Sequence, residues 1–164
     1  MKWSADPRIL RQPVHFLAFG FGAGLAPKAP GTFGTLVAVP IVACVMHFGG
    51  QVHVSFTVAA FLAGIWICGE SARRLGVHDH SGIVWDEIVG FSVTMLAAPP
   101  NWYWLVTGFV LFRLFDIWKP YPIRLLDANV KGGLGVMVDD LFAAFYAYLA
   151  FLAFVFVMVS LGFK

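Results

Sequence analysis

Five carboxylic acids interrupt the long apolar stretches of this chain in only three places. They are Asp86, Glu87, Asp116, Asp139 and Asp140. Carboxylates that are brought together in a medium of low dielectric constant repel one another, and a hard divalent cation removes that cost. Mg²⁺ prefers oxygen ligands and commonly binds one or two carboxylates together with a substrate phosphate. The five acids therefore predict a magnesium site on one face of the molecule.

A competing interpretation is that the acids only form ion pairs at the boundary of an apolar region. The candidate cationic partners are Arg113, Lys119 and Arg124. A single acid at the start of a helix is also a common cap or dipole partner. Adjacent acids on a helix point about 100° apart. Small residues one turn later favour Asp86 and Asp140 as the inward-facing members of their pairs.

A glycine-rich stretch over residues 22–32 predicts an anion site. Thr32 suits the N-cap of a helix that follows it, with Gly31 in the approach to that helix. The free N–H groups and the positive dipole end of a helix N-terminus bind phosphate. The same glycines would also suit a loop that packs closely, and the sequence leaves both interpretations open.

A third group of polar residues has helical spacing. Arg113 and Asp116 are three residues apart, as are Asp116 and Lys119. Residues at this spacing lie on one ridge of a helix. Pro120 and Pro122 follow and predict the end of that helix.

The elements that must position these groups are apolar helices. The chain has 164 residues, of which 60% are hydrophobic and only 12% charged. Soluble domains are about 45–50% apolar and about 25% charged. The composition excludes a disordered chain and a nucleic-acid-binding protein with a basic face. It predicts one all-α domain over residues 1–164, an integral membrane bundle whose partner is the lipid bilayer.

Breaks in the uncharged runs divide the chain into about five transmembrane helices. A span needs roughly 17–25 residues. The run between Lys28 and Glu70 is long enough for two spans, with a turn near Phe48–Gln51, and Pro99–Asn101 separates two more. The predicted spans are residues 33–48, 53–69, 83–98, 102–115 and 141–162.

The distribution of cations predicts the orientation. With a cytoplasmic N-terminus and residues 1–32 as a cytoplasmic or interfacial segment, ten of the eleven Lys and Arg residues fall inside. All nine acids fall on the same side or at its boundary. The apolar stretch Val14–Ala26 is short, and we expect it to be interfacial or re-entrant. The predicted chemistry therefore takes place at the inner face.

The remaining residues narrow that chemistry. Cys44 and Cys68 both lie in apolar runs, which favours neither a disulfide nor a zinc site. No Ser-His-Asp set and no cysteine phosphatase loop is evident. Acids, cations and a glycine-rich segment at a membrane face suit metal-assisted attack of water on a phosphate ester.

Four blocks of sequence also carry a family resemblance. They are GAGLAPKAPGT at 22–32, VHDHSGIVWDEIVG at 77–90, FRLFDIWKPYPI at 112–123 and GGLGVMVDD at 132–140. In this order they resemble the phosphatidylglycerophosphatase A family of bacterial inner-membrane lipid phosphatases. The sequence departs from the family where Thr35 replaces a common serine and Ala144 a common glycine. We expect neither residue to touch a proposed ligand.

The resemblance implies Mg²⁺-dependent hydrolysis of the terminal phosphate of phosphatidylglycerophosphate at the cytoplasmic face of the bacterial inner membrane. As a hypothesis, the five acids would hold Mg²⁺ or orient water, with catalytic roles for all except Asp139. Asp79 would lie behind them in a supporting role. The predicted phosphate-binding residues are Gly31, Thr32, Arg113 and Lys119.

Two alternatives remain open at the level of sequence. The chain could be a phosphatase for another anionic phospholipid, such as phosphatidic acid, because the motifs describe a phosphate site and not the rest of the headgroup. It could also be a small helical transporter or channel subunit with no enzymatic activity. The sequence does not predict an oligomeric state or the number of Mg²⁺ ions.

Overall fold

The computed structural model describes residues 7–77, 80–125, 130 and 132–161, and within these residues every regular element is helical. Short 3₁₀ helices at Pro7–Arg11 and Gly20–Leu25 flank the first α-helix. The α-helices are α1 (Pro13–Ala18), α2 (Pro30–Met46), α3 (Gly50–Leu75), α4 (Trp85–Thr94), α5 (Trp102–Trp118) and α6 (Gly132–Ser160). The prediction of an all-α fold is confirmed.

The helix ends follow from local sequence. Pro30 occupies the first position of α2, where its missing N–H costs nothing. Gly49 has φ of 95° and separates α2 from α3 near the predicted turn. Gly76 ends α3 in the left-handed conformation that glycine adopts readily, with Arg73 and Arg74 in the last turn.

Several boundaries differ from those predicted. The last helix begins at Gly132, nine residues before the predicted Leu141, so Asp139 and Asp140 lie two turns inside it. α3 continues beyond residue 69 to Leu75, and α5 beyond residue 115 to Trp118. Charged residues were used to end these spans, but a helix that emerges from an apolar environment needs no break where its charges begin.

α4 is the shortest of the five helices from α2 to α6 whose ranges are given above, and the most enclosed. Its ten residues cover about 15 Å, half the thickness of a bilayer core. The seven buried residues of α4 include Glu87, Ile88 and Phe91, and the helix packs against α2, α3, α5 and α6. The indole N–H of Trp85 donates to the carbonyl oxygen of Ala60, which fixes the start of α4 against α3.

The core brings helix ends from distant parts of the chain together. One cluster includes Val42, Phe91 and Phe112 from α2, α4 and α5. Gly133 lets α6 approach α3 closely, because a Cβ atom at this position would overlap the carbonyl oxygen of Ile65. The starts of α2, α4 and α6 and the end of α5 therefore meet at one end of the bundle.

The outer surface of the bundle is strongly apolar. Leu62, Trp66 and Phe156 are each more than 60% exposed. Soluble monomers rarely expose contiguous apolar patches of this kind. Within the described residues, two helices are long and apolar enough to cross a membrane, Gly50–Leu75 and Gly132–Met158, and Pro30–Met46 is a shorter apolar helix. These features fit a membrane protein, and the number of spans stays a prediction.

Candidate active site

The five predicted acids line one cleft. This cleft has a volume of about 350 Å³ and lies where α2, α4, α5 and α6 meet. Its walls include Asp86 and Glu87 from α4, Asp116 from α5, and Asp139 and Asp140 from α6. The prediction that these carboxyl groups share one face is therefore supported by their placement. The acids are far apart along the chain, and the packing of α4, α5 and α6 brings them together.

Arg113 holds two of the acids on opposite sides of the cleft. Its Nη1 lies 2.5 Å from Glu87 Oε2 and 2.7 Å from Asp116 Oδ2. The side chains of Arg113 and Glu87 are only 12% and 9% exposed, so water screens the pair weakly. The predicted contact between Arg113 and Asp116 on one ridge of α5 is thus observed, and α4 is tied to α5 through the same guanidinium.

Lys119 takes a different position from the one predicted. It follows the last residue of α5 and has a left-handed backbone with φ of 43°, so it does not continue the ridge of Arg113 and Asp116. Its Nζ lies 2.6 Å from Asp139 Oδ2 on α6. Lys119 therefore closes the cleft across helices. The reversal of the backbone before Pro120 turns its side chain towards α6.

Asp86 and Asp140 complete the acidic wall in different ways. Asp86 Oδ1 accepts a hydrogen bond from the backbone N–H of Glu87 at 3.1 Å. Within the described part of the chain, the buried Oδ2 of Asp140 has no hydrogen-bond donor. Both members of each acid pair line the cleft, and Glu87 is more buried than Asp86. The sequence favoured Asp86 and Asp140 as the inward-facing members of their pairs, but Glu87 and Asp139 line the cleft as well.

The start of α2 forms the opposite wall, but not through Thr32. The helix begins at Pro30 after Ala29, so Thr32 lies inside the first turn and is not the predicted N-cap. Ala29, Pro30 and Gly31 line the cleft. A Cβ atom on Gly31 would overlap Glu87 Oε1. Gly31 therefore lets α2 pack closely against the acids, as the close-packing interpretation of this segment expects, and its phosphate-binding role stays a prediction.

Thr35 is a site residue that the sequence reasoning placed outside the site. Its Oγ1 is fully buried, 3.0 Å from Glu87 Oε2 and 2.9 Å from the carbonyl oxygen of Gly31. The expectation that Thr35 touches no proposed ligand is wrong. The serine that is common in the family at this position could have indicated the contact. Serine and threonine both carry a hydroxyl group, which can donate a hydrogen bond to Glu87. Ala144 is buried in the apolar core.

His80 and Ser81 also line the cleft, although neither was among the predicted site residues. His80 is half-buried, and its Nδ1 accepts a hydrogen bond from the backbone N–H of Gly82 at 3.0 Å. The predicted supporting residue Asp79 lies outside the described residues.

The donor chemistry of the cleft fits Mg²⁺. All five acidic side chains offer hard oxygen ligands, and the buried Asp140 Oδ2 faces no donor among the described residues. In the described part of the chain, no three acid, histidine or cysteine side chains converge as a compact metal site. Glu87 and Asp116 instead form ion pairs with Arg113, and Asp139 forms an ion pair with Lys119. The magnesium site itself remains a prediction.

The cleft has an unbalanced formal charge. Five carboxyl groups face two cations, Arg113 and Lys119, which leaves an excess of three negative charges when all are ionised. Like charges at this range repel strongly where the dielectric constant is low. A phosphate anion therefore meets a favourable environment only if further positive charge enters with it.

Comparison with known proteins gives a clear result. Residues 16–155 match the phosphatidylglycerophosphatase A family. The chain belongs to this family. The match to phosphatidylglycerophosphatase A covers the cleft residues from Gly31 to Asp140 and the whole of α2 to α5. No solved structure matches the chain.

Two individual relatives carry the name phosphatidylglycerophosphatase A, and a third carries the name of another lipid phosphatase. The chain is 44% identical over 135 residues to the Escherichia coli K12 protein of that name, covering 82% of this chain and 78% of the relative. It is 43% identical over 146 residues to the Haemophilus influenzae protein of the same name, covering 88% and 90%. A Bacteroides thetaiotaomicron protein provisionally named phosphatidylinositol-3-phosphatase is 41% identical over 138 residues, covering 79% and 86%.

Proposed function

We propose that this chain hydrolyses the terminal phosphomonoester of phosphatidylglycerophosphate, giving phosphatidylglycerol and inorganic phosphate. The observation that carries the proposal is the cleft in which Arg113 and Lys119 lie among five acids at one end of an apolar bundle. A cleft at the end of an apolar bundle is accessible to the phosphate group of a lipid headgroup. The names of the Escherichia coli and Haemophilus influenzae relatives support the same substrate.

We infer that the reaction depends on Mg²⁺, held by Asp86, Glu87, Asp116, Asp139 and Asp140. The oxygen-only donor set, the excess negative charge and the donor-free Asp140 Oδ2 support this assignment. When bound, the ion supplies positive charge against the phosphate oxygens and polarises them.

The residues of the chain would divide the remaining work. Arg113 and Lys119 contact phosphate oxygens through charge-assisted hydrogen bonds. Thr35 and Arg113 fix the orientation of Glu87, and Gly31 leaves space beside it. Asp140 accepts a proton from the attacking water, which forms the new phosphorus–oxygen bond as the bond to the glycerol oxygen breaks. Asp140 then transfers this proton to the leaving glycerol oxygen, so that phosphatidylglycerol leaves as the neutral alcohol.

We further propose that the bundle is a multi-pass protein of the bacterial inner membrane with its cleft on the cytoplasmic side. α5 covers about 25 Å from Trp102 to Trp118. Asp86 lies in the same cleft as Asp116 near the end of α5, so residues 86–102 must cover a similar distance to reach the start of α5. α4 with the non-helical residues 95–101 would then serve as one crossing of the predicted five. The positive-inside distribution of Lys and Arg supports the orientation.

A phosphatase for another phospholipid is the second candidate. The Bacteroides thetaiotaomicron relative, at 41% identity, is provisionally named for a different phospholipid substrate, and this name supports the second candidate. The transporter alternative has less support, because the acids are gathered in a cleft at one end of the bundle and are not distributed along its length.

The deciding experiment measures phosphate release from phosphatidylglycerophosphate in detergent micelles, with and without Mg²⁺. Asp86→Asn removes one cleft carboxylate, and Glu70→Gln is the matched control because Glu70 pairs with Arg73 and Arg74 outside the cleft. We expect release to require Mg²⁺, to be lost in Asp86→Asn and to persist in Glu70→Gln.

Metal binding is followed separately by thermal unfolding. Mg²⁺ bound to the folded state should raise the midpoint of unfolding in a concentration-dependent way. Asp140→Asn should weaken that rise. Release that is unaffected by Mg²⁺ and by Asp86→Asn would show that the acids are structural ion pairs and would overturn the magnesium assignment. No release from the wild type with Mg²⁺ would overturn the lipid phosphatase proposal.

A further inference from the structure

A second cavity runs along the outer face of α5. It has a volume of about 740 Å³ and is bounded mainly by apolar side chains, together with two arginines. Its lining residues are Phe109, Val110, Arg113, Leu114, Ile117, Trp118 and Arg124. We call this cavity the α5 groove.

The α5 groove adjoins the acidic cleft. Arg113 and Ile117 belong to the walls of both cavities. Arg113 Nη1 is held by Glu87 and Asp116 inside the cleft, so its guanidinium marks the point where the two cavities meet. A molecule lying in the groove can therefore extend a headgroup past Ile117 into the cleft.

The length of the α5 groove suits one leaflet of a bilayer. From Phe109 to Trp118 the helix rises about 14 Å, close to half of the roughly 30 Å hydrocarbon core. Val110, Ile117 and Trp118 are 56%, 70% and 61% exposed along it. An acyl chain that lay against these side chains would cover apolar surface that nothing else in the described structure covers.

The charge of Arg124 favours a second anion in the groove. Arg124 is exposed, and within the described residues it takes part in no ion pair. The cations of the cleft and Arg124 thus form two separate positive positions in adjoining cavities. Phosphatidylglycerophosphate carries two phosphates separated by one glycerol unit, a monoester and a diester.

We propose that the α5 groove binds the diacylglycerol portion of the lipid substrate and that Arg124 binds its internal phosphodiester. This inference rests on the proposed function and adds the part of the substrate that does not react. Arg124 is then a specificity-determining residue. Phosphatidic acid, which carries a single phosphate directly on diacylglycerol, cannot occupy both positive positions at once.

The test uses competition by lipids that differ only in the phosphodiester. Phosphatidylglycerol retains this group, and diacylglycerol lacks it. The full-length protein is assayed on phosphatidylglycerophosphate in mixed micelles with either lipid added, as wild type, Arg124→Ala and Arg124→Lys. Arg11→Ala, which removes an exposed arginine outside both cavities, is the matched control.

We expect Arg124→Ala to raise KM for phosphatidylglycerophosphate about tenfold, because the substrate loses one charge-assisted hydrogen bond. The inhibition constant of phosphatidylglycerol should rise by a similar factor while that of diacylglycerol stays constant. Arg124→Lys should restore much of both values, because it keeps the charge. Arg11→Ala should match the wild type.

A second variant tests the apolar part of the groove. Leu114→Trp places a larger side chain at a half-exposed position in the α5 groove. We expect it to raise the inhibition constants of phosphatidylglycerol and diacylglycerol together, because both need the groove for their acyl chains.

The outcomes separate the two levels of the proposal. If wild type releases phosphate but Arg124→Ala leaves KM and phosphatidylglycerol inhibition unchanged, or lowers kcat alone, the groove assignment is overturned and the phosphatase proposal stands. If wild type with Mg²⁺ releases no phosphate from phosphatidylglycerophosphate, the proposed function fails first, and the groove assignment falls with it.

Discussion

Arg113 Nη1 contacts Glu87 Oε2 at 2.5 Å and joins α5 to the start of α4. Twenty-six residues separate the two side chains in sequence, and both are largely buried. The same nitrogen lies 2.7 Å from Asp116 Oδ2. Arg113 therefore fixes two acids of the cleft at once, and the same side chain lines the groove along α5.

Removing this arginine should damage both stability and activity. We expect Arg113→Ala to lower the free energy of unfolding by about 3–5 kcal/mol, because two buried carboxylates lose their cation. Phosphate release should fall at least about 100-fold. Thermal unfolding in detergent and the phosphate assay measure the two effects. Arg74→Ala is the control, since water screens its exposed pair with Glu70, which should contribute little to stability.

The hydroxyl group of Thr35 should matter more than its size. Thr35→Val removes the donor to Glu87 Oε2 and keeps the shape, so we expect about a tenfold loss in kcat/KM. Thr35→Ser keeps the hydroxyl and should stay close to wild type. The measurement is phosphate release across a range of substrate concentrations. Equal activity of the two variants would show that the contact with Glu87 has no part in the reaction.

Gly31 should be required because of its neighbours and not because of its backbone. Gly31→Ala would place a Cβ atom against Glu87 Oε1 and 3.1 Å from Arg113 Nη1. Alanine favours helix over glycine by about 1 kcal/mol, so the midpoint of unfolding should hold while kcat/KM falls roughly tenfold. Gly50→Ala is the matched control, because a Cβ there meets nothing within 4 Å. A loss of activity in both variants would contradict this explanation.

His15 should make stability depend on pH. It is buried, with Nδ1 2.8 Å from Ser71 Oγ. Burial is the main cause that holds the pKa of His15 below its ordinary value of 6.5. The charge of Arg74 lowers this pKa further, and His80 has a smaller effect in the same direction, whereas Glu70 raises it. The unfolded chain then binds the proton more tightly, so stability is lost as the pH falls below 6.5.

The variant His15→Gln cannot titrate and should lose less stability than wild type between pH 7.5 and pH 5.5. The measurement is the midpoint of thermal unfolding in detergent at both pH values. Parallel pH dependence in the two proteins would assign the effect to other groups.

The sequence by itself determined the helical class, the turns near Phe48 and Pro99, and the gathering of charge at one end of the bundle. These properties depend on local composition: an uncharged run of about 20 residues avoids water wherever it lies, and proline ends a helix through its own ring. The four motif blocks also identified the family that the comparison confirmed. The five cleft acids were found in the same way, as polar residues that an apolar chain does not otherwise place there.

Only the tertiary structure decided which of these groups touch. Thr35 reaches Glu87 across 52 residues, and Lys119 reaches Asp139 across 20. Such contacts depend on the relative heights and rotations of packed helices, which single-helix periodicity does not specify. The start of α6 at Gly132 has the same origin, since Gly133 packs into α3 and holds that turn helical. The residue types of the site are therefore local information, and its geometry is a property of packing.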